Sequence, residues 1–153
     1  MKRLGLLIAT TGGLGYAPIA PGTAGSAAGV VIYLLTSHWS FPAQAALAAA
    51  VTLIGVWASS VAAKHFDRSD PSHVVIDEVA GQLVTFLGTG VGIRGALLGF
   101  LLFRALDIVK PWPANKLESL HGGVGIVADD VMAAVYGCAM LHIVIWLLPG
   151  MRW

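Results

Sequence analysis

Residues 43–63 read AQAALAAAVTLIGVWASSVAA, 21 residues without a charge. As a helix at a rise of about 1.5 Å per residue this run crosses the roughly 30 Å of a bilayer's hydrocarbon core. Alternation of apolar and polar residues is absent, and the composition is rich in Ala and Leu, so a helix is the better reading than a strand. The other apolar runs follow the same pattern. Residues 24–36 form a short one and residues 131–148 a run of 18 closed by Pro149. Residues 79–92 and 95–103 flank Arg94 in a glycine-rich turn, and each is too short to span upright. In lipid, backbone polar groups must be satisfied within the segment, which again selects helices. The expected fold is all-α: a membrane-embedded helical bundle of about five helical segments, forming one domain over residues 1–153.

Composition agrees. Charged residues are 11% of the 153, against about 25% in a typical soluble domain, and hydrophobic ones are 57%. Mean hydropathy is +0.80. A net charge of +1 argues against nucleic acid as a partner, because binding a phosphate backbone draws on clustered Lys and Arg. The single cysteine, Cys138, excludes an internal disulfide and a cysteine-based zinc site. Lys2 and Arg3 before a short apolar run resemble the start of a signal peptide, but residues 10–15 interrupt the run without a cleavage site, so it is read as retained.

The charges are not scattered. Asp67, Asp70, Asp77 and Glu78 occupy one interval, and Asp107, Glu118, Asp129 and Asp130 a second; together they are all eight acids. Lys64, Arg68, Arg104, Lys110 and Lys116 share those intervals. If residues 24–36 and 43–63 form one hairpin, and the next two runs another turning at 92–95, both intervals return to the side of Lys2 and Arg3. Arg94 and Arg152 fall opposite. Seven of the nine basic residues then lie on one face, which the positive-inside rule makes cytoplasmic. Solvated loops would explain the bases but not acids placed inside helix-like sequence.

Four stretches carry the chemistry, each with a structural alternative. Residues 20–26, APGTAGS, place Thr23 as a helix N-cap near an anion; alternatively Gly22, Ser26 and Gly29 are a small-residue packing face. No Gly-Lys-Ser/Thr follows, so it is not a P-loop. Asp70-Pro71 reads as N-cap and first helical residue of a helix that carries Asp77, Glu78, Gly81 and Gln82 among apolar neighbours. Carboxylates in such a setting are costly unless metal-bound or paired, here to Arg104 or Lys110. In residues 103–113, FRALDIVKPWP, Arg104 and Asp107 are spaced to pair on one helix face; the functional reading gives Arg104 and Lys110 to a phosphate and Asp107 to a metal. In residues 122–131, GGVGIVADDV, one Asp would suffice as a cap, and there are two. Hard oxygen ligands without His or Cys companions suit Mg²⁺, ahead of Mn²⁺ or Ca²⁺. Of the histidines, His38 and His142 are read as structural, while His73 and His121 only border the acidic intervals.

Taken in order, the blocks at 20–23, 76–82, 103–113 and 122–131 resemble the phosphatidylglycerophosphatase A family. The resemblance covers nearly the whole chain and implies a Mg²⁺-dependent lipid phosphatase of the bacterial inner membrane, multi-pass, with its active face in the cytoplasm, converting phosphatidylglycerophosphate to phosphatidylglycerol. On that reading Asp77, Glu78, Asp129 and Asp130 are the metal ligands. Asp77, Asp107, Asp129 and Asp130 carry catalysis, and Thr23, Arg104 and Lys110 bind the substrate phosphate. Partners are the phospholipid substrate and the membrane; oligomeric state is not legible. A cysteine phosphatase is excluded because Cys138 is followed by Ala-Met-Leu-His, and a haloacid-dehalogenase type because Asp-x-Asp occurs nowhere. The non-enzymatic alternative is a cation or proton carrier using the same carboxylates, although carriers usually place acids near the bilayer midplane.

Overall fold

The computed structural model describes residues 1–117 and 119–152; Glu118, counted above among the acids, and Trp153 lie outside the described residues. The described chain is helical: α1 (Lys2–Ala9), α2 (Pro21–Thr36), α3 (Phe41–Phe66), α4 (Ile76–Thr85), α5 (Ile93–Val109), α6 (Ala114–Leu117) and α7 (Gly123–Leu147), with single 3₁₀ turns at Leu14–Tyr16 and Pro149–Met151. The five expected segments are α2, α3, α4, α5 and α7. Among the described residues, α3 and α7 are the two helices long and apolar enough to cross a membrane.

Local chemistry sets the helix ends, and it corrects three sequence expectations. α2 begins at Pro21, with Ala20 as its N-cap in the left-handed region (φ +48°), so Thr23 is a first-turn residue and not the cap. Proline's fixed φ suits the first helical position, and that displaces the start upstream. Asp70-Pro71 does not open α4; residues 70–75 stay irregular and Val75 precedes the helix. α7 starts eight residues before the expected run at 131, on Gly122, so Asp129 and Asp130 lie in its second turn and cannot be caps. Both carboxylates therefore sit on the flank of a long apolar helix, where helix-end dipoles do not account for them.

α4 is the centre of the bundle, packed against α1, α2, α3, α5 and α7. Eight of its ten residues are buried, including Asp77 and Gln82. Two close approaches hold it and α7 in place. The Gly22–Ser26–Gly29 face of α2 lies on α4: a Cβ at Gly29 would come 2.6 Å from Gln82 Cβ, and one at Gly22 would overlap Glu78 Oε1. The small-residue face read as an alternative is thus present. At the start of α7, a Cβ on Gly123 would overlap Val56 O of α3, and the Gly123 N–H donates to Ser60 Oγ at 3.0 Å.

The helices alternate in direction. The starts of α2, α4 and α7 meet the ends of α3 and α5 at one end of the bundle, where Val75 N–H also donates to Ala9 O at 2.9 Å. At the other end Tyr33 OH donates to Val91 O at 2.9 Å, and Val91 bridges Arg152. This is the double-hairpin arrangement, with Arg94 and Arg152 opposite the acids. The outward faces are apolar: Leu35, Leu53, Leu101 and Trp146 are each more than 60% exposed. Exposed apolar side chains around a core that contains charged ones invert the usual soluble pattern, in keeping with membrane association.

Candidate metal and phosphate site

Asp77 and Glu78 open α4, and Asp130 faces them from the second turn of α7. One carboxylate oxygen from each lies within 4.8 Å of the other two. Asp77 and Asp130 are 7% and 4% exposed. Asp77 Oδ1, Glu78 Oε2 and Asp130 Oδ2 are buried and have no hydrogen-bond partner. Three carboxylates this close, out of water, repel one another and leave lone pairs unsatisfied. A divalent cation answers both defects, and an all-oxygen, all-anionic set is the donor chemistry that Mg²⁺ prefers. The residues fit the ion.

The cations stand around this cluster and are tied to other acids. Arg104 Nη1, from the last turns of α5, donates to Asp107 Oδ2 at 2.7 Å, lies 3.6 Å from Glu78 Oε1, and reaches Ser26 Oγ of α2 at 3.4 Å. The pairing of Arg104 with Asp107, read above as the structural alternative, is therefore made, and it leaves Arg104 bridging Asp107 to the cluster. Lys110 ends α5 with φ +47°, and its N–H donates to Leu106 O. Pro111 forbids a further helical turn, and the left-handed residue swings the chain so that Lys110 Nζ donates to Asp129 Oδ2 at 2.7 Å.

Of the four expected metal ligands, the structure brings Asp77, Glu78 and Asp130 together. Asp129 points instead to Lys110, although its Oδ1 is buried without a hydrogen-bond partner. On α7 the two side chains point apart, Asp130 toward Asp77 and Glu78 and Asp129 toward Lys110. Thr23 is exposed, and Gly22 and Ser26, one position before it and three after, are the residues of that block that meet Glu78 and Arg104. Ser26 was missed as a site residue because a serine in a small-residue stripe carries no signal until its neighbour helix is known. Gln82, one turn beyond Glu78, is fully buried with neither amide atom hydrogen-bonded.

An acidic cluster with unsatisfied oxygens, flanked by Arg and Lys at one end of an all-helical bundle, has the layout of a metal-assisted site for phosphate. The family model described as Phosphatidylglycerophosphatase A matches residues 7–145. The chain belongs to the phosphatidylglycerophosphatase A family, and it is a phosphatase. Three relatives align over nearly its full length. A protein of Bacteroides thetaiotaomicron named "Putative phosphatidylinositol-3-phosphatase" is 36% identical, covering 97% of this chain and 99% of the relative. Phosphatidylglycerophosphatase A of Escherichia coli K12 is 31% identical, over 90% of this chain and 81% of the relative. Its namesake in Haemophilus influenzae is 31% identical over 97% and 96%. No solved structure matches the chain.

Proposed function

We propose that the chain hydrolyses phosphatidylglycerophosphate to phosphatidylglycerol and phosphate, with Mg²⁺ held by Asp77, Glu78 and Asp130. The observation that carries this reading is the group of three buried carboxylates with unpartnered oxygens, within 4.8 Å of one another. In this reading residues 1–153 form a single multi-pass domain of the bacterial inner membrane, its acidic end cytoplasmic. Five of the basic residues of that end, Lys2, Arg3, Lys64, Arg68 and Lys116, support the orientation.

When bound, Mg²⁺ supplies Lewis acidity toward phosphoryl oxygens and makes water a better nucleophile. The chain supplies the rest. Arg104, fixed between Asp107 and Glu78, presents its remaining donors to the phosphate. Lys110 adds a point charge whose position Asp129 sets. Asp107 holds Arg104 in place and, like Asp129, lies outside the metal group. The apolar helix faces keep the lipid's tails in the bilayer while its phosphate lies at the level of the acids. That placement also separates hydrolysis from the carrier alternative: the acids gather at helix ends, where a headgroup lies, rather than halfway along the spans.

The name of the Bacteroides relative favours a second lipid phosphomonoester, phosphatidylinositol 3-phosphate, for the same site. The test is phosphate release by detergent-purified protein from each lipid, with EDTA and after Mg²⁺ is restored. Release from phosphatidylglycerophosphate that stops in EDTA and returns with Mg²⁺ is expected, with slower release from the phosphoinositide. Full activity in chelator overturns the metal assignment, and faster turnover of the phosphoinositide overturns the substrate.

A further inference from the structure

Beside the acidic site lies a second polar cavity, lined by Lys64, Arg68 and His121 with Ser69, Ser119 and the backbone of Gly122; Asp67 is the one acid among its described lining residues. Ser69 and Leu120 also line a smaller cleft with Asp70 and Asp129, the acid that holds Lys110, so the two clefts are neighbours. Lys64 lies in the last turn of α3, where it also offsets the helix dipole. That role accounts for one cation. It does not account for Arg68, which follows the C-cap Asp67, or for His121, which arrives from the opposite side just before α7. Among the described residues neither Lys64 nor Arg68 makes an ion pair. α7 has no acidic residue in its first turn, so its positive end at Gly122 adds to the field.

This lining suits an anion that is held and not cleaved. Phosphatidylglycerophosphate carries two phosphates, the terminal monoester that is hydrolysed and the diester that joins the headgroup to the lipid's own glycerol. The geometry points to the Lys64–Arg68–His121 cavity as the subsite for the phosphodiester of the lipid, which would set the preference for headgroups built on a diester. The inference rests on the phosphomonoesterase reading for its biological meaning, but its binding test does not. Arg68 offers a fork and Lys64 a mobile charge to the non-bridging oxygens.

The test titrates the purified full chain with short-chain phosphatidylglycerol, which has the diester and no monoester, and with short-chain diacylglycerol, which has neither. Phosphatidylglycerol binds more tightly than diacylglycerol, and Lys64→Ala with Arg68→Ala weakens it by about tenfold, the scale expected for losing charge-assisted contacts. Lys2→Ala with Arg3→Ala removes two cations of the same end outside the cavity and leaves binding unchanged. In turnover of phosphatidylglycerophosphate the first double variant raises KM by a similar factor with kcat preserved. Equal weakening by both double variants would reduce the effect to diffuse surface charge and overturn the subsite, as would unchanged binding in the Lys64 and Arg68 variant. Absence of lipid phosphate release by the unmodified protein overturns the phosphatase substrate reading and leaves the binding comparison to decide the subsite on its own.

Discussion

At the scale of single residues, the structure divides the four neighbouring acids by what each oxygen meets. Asp77 and Asp130 face each other and Glu78, whereas Asp129 accepts from Lys110 at 2.7 Å. Asp77→Asn and Asp130→Asn keep shape and remove charge, so each is expected to lower kcat by at least about 100-fold, with partial recovery at raised Mg²⁺. Lys110→Ala behaves otherwise. It raises KM, resists rescue by Mg²⁺, and strands the buried Asp129 carboxylate, at a cost on the order of 1–3 kcal/mol. Asp129→Asn follows Lys110→Ala more closely than Asp130→Asn. Steady-state kinetics across a Mg²⁺ series, with thermal unfolding alongside, read all four. Near wild-type turnover of both Asp77→Asn and Asp130→Asn at low Mg²⁺ would show that the cluster is not the catalytic centre.

At the scale of elements, α4 sets the design. It is only ten residues long, too short to span a bilayer, yet every long helix touches it. Its neighbours enclose it, so two carboxylates and an amide sit inside the bundle and out of contact with lipid. α7 reaches the cluster only because its first turn is pressed onto α3 at Gly123. Gly123→Ala would push a methyl into Val56 O and lie 2.6 Å from Ser60 N, both backbone atoms with no room to yield. Destabilisation by about 2–3 kcal/mol is expected, as for overpacking at a tight contact. Val124→Ala, at a half-exposed neighbour, is expected to unfold like wild type. The check is thermal unfolding in detergent; equal midpoints for the two variants would mean that this crossing does not hold α7 in place.

At the scale of the molecule, alternating helices gather the acids at one end and leave Arg94 and Arg152 at the other. In the proposed orientation the basic residues place the acidic end in the cytoplasm. In a Cys138→Ala background, Arg68→Cys and Asn115→Cys are expected to be labelled by an impermeant thiol reagent only from the cytoplasmic side, and Ile93→Cys only from the opposite side. Labelling of positions 68 and 115 from opposite sides would break the single active face.

Much of this was already determined by the sequence. A 21-residue uncharged run, with 57% hydrophobic residues overall, can only be covered by lipid or by other helices, so helix class and segment order follow from solvation alone. The two acidic intervals likewise marked the candidate site, since the burial of charge is legible wherever acids interrupt apolar sequence. Helix ends were less so: proline at position 21 and glycine at 122 moved the starts of α2 and α7, and with them the roles of Thr23 and Asp129. Which acids share a centre was decided only by the tertiary structure. Asp129 and Asp130 are equivalent as letters, and only the rotation of α7 against α4 and α5 turns one toward Asp77 and Glu78 and the other toward Lys110. The same holds for Ser26, whose hydroxyl finds Arg104 across 78 positions of sequence. Local sequence sets periodicity and solvation, but the azimuth of a helix depends on the shapes of the helices packed around it.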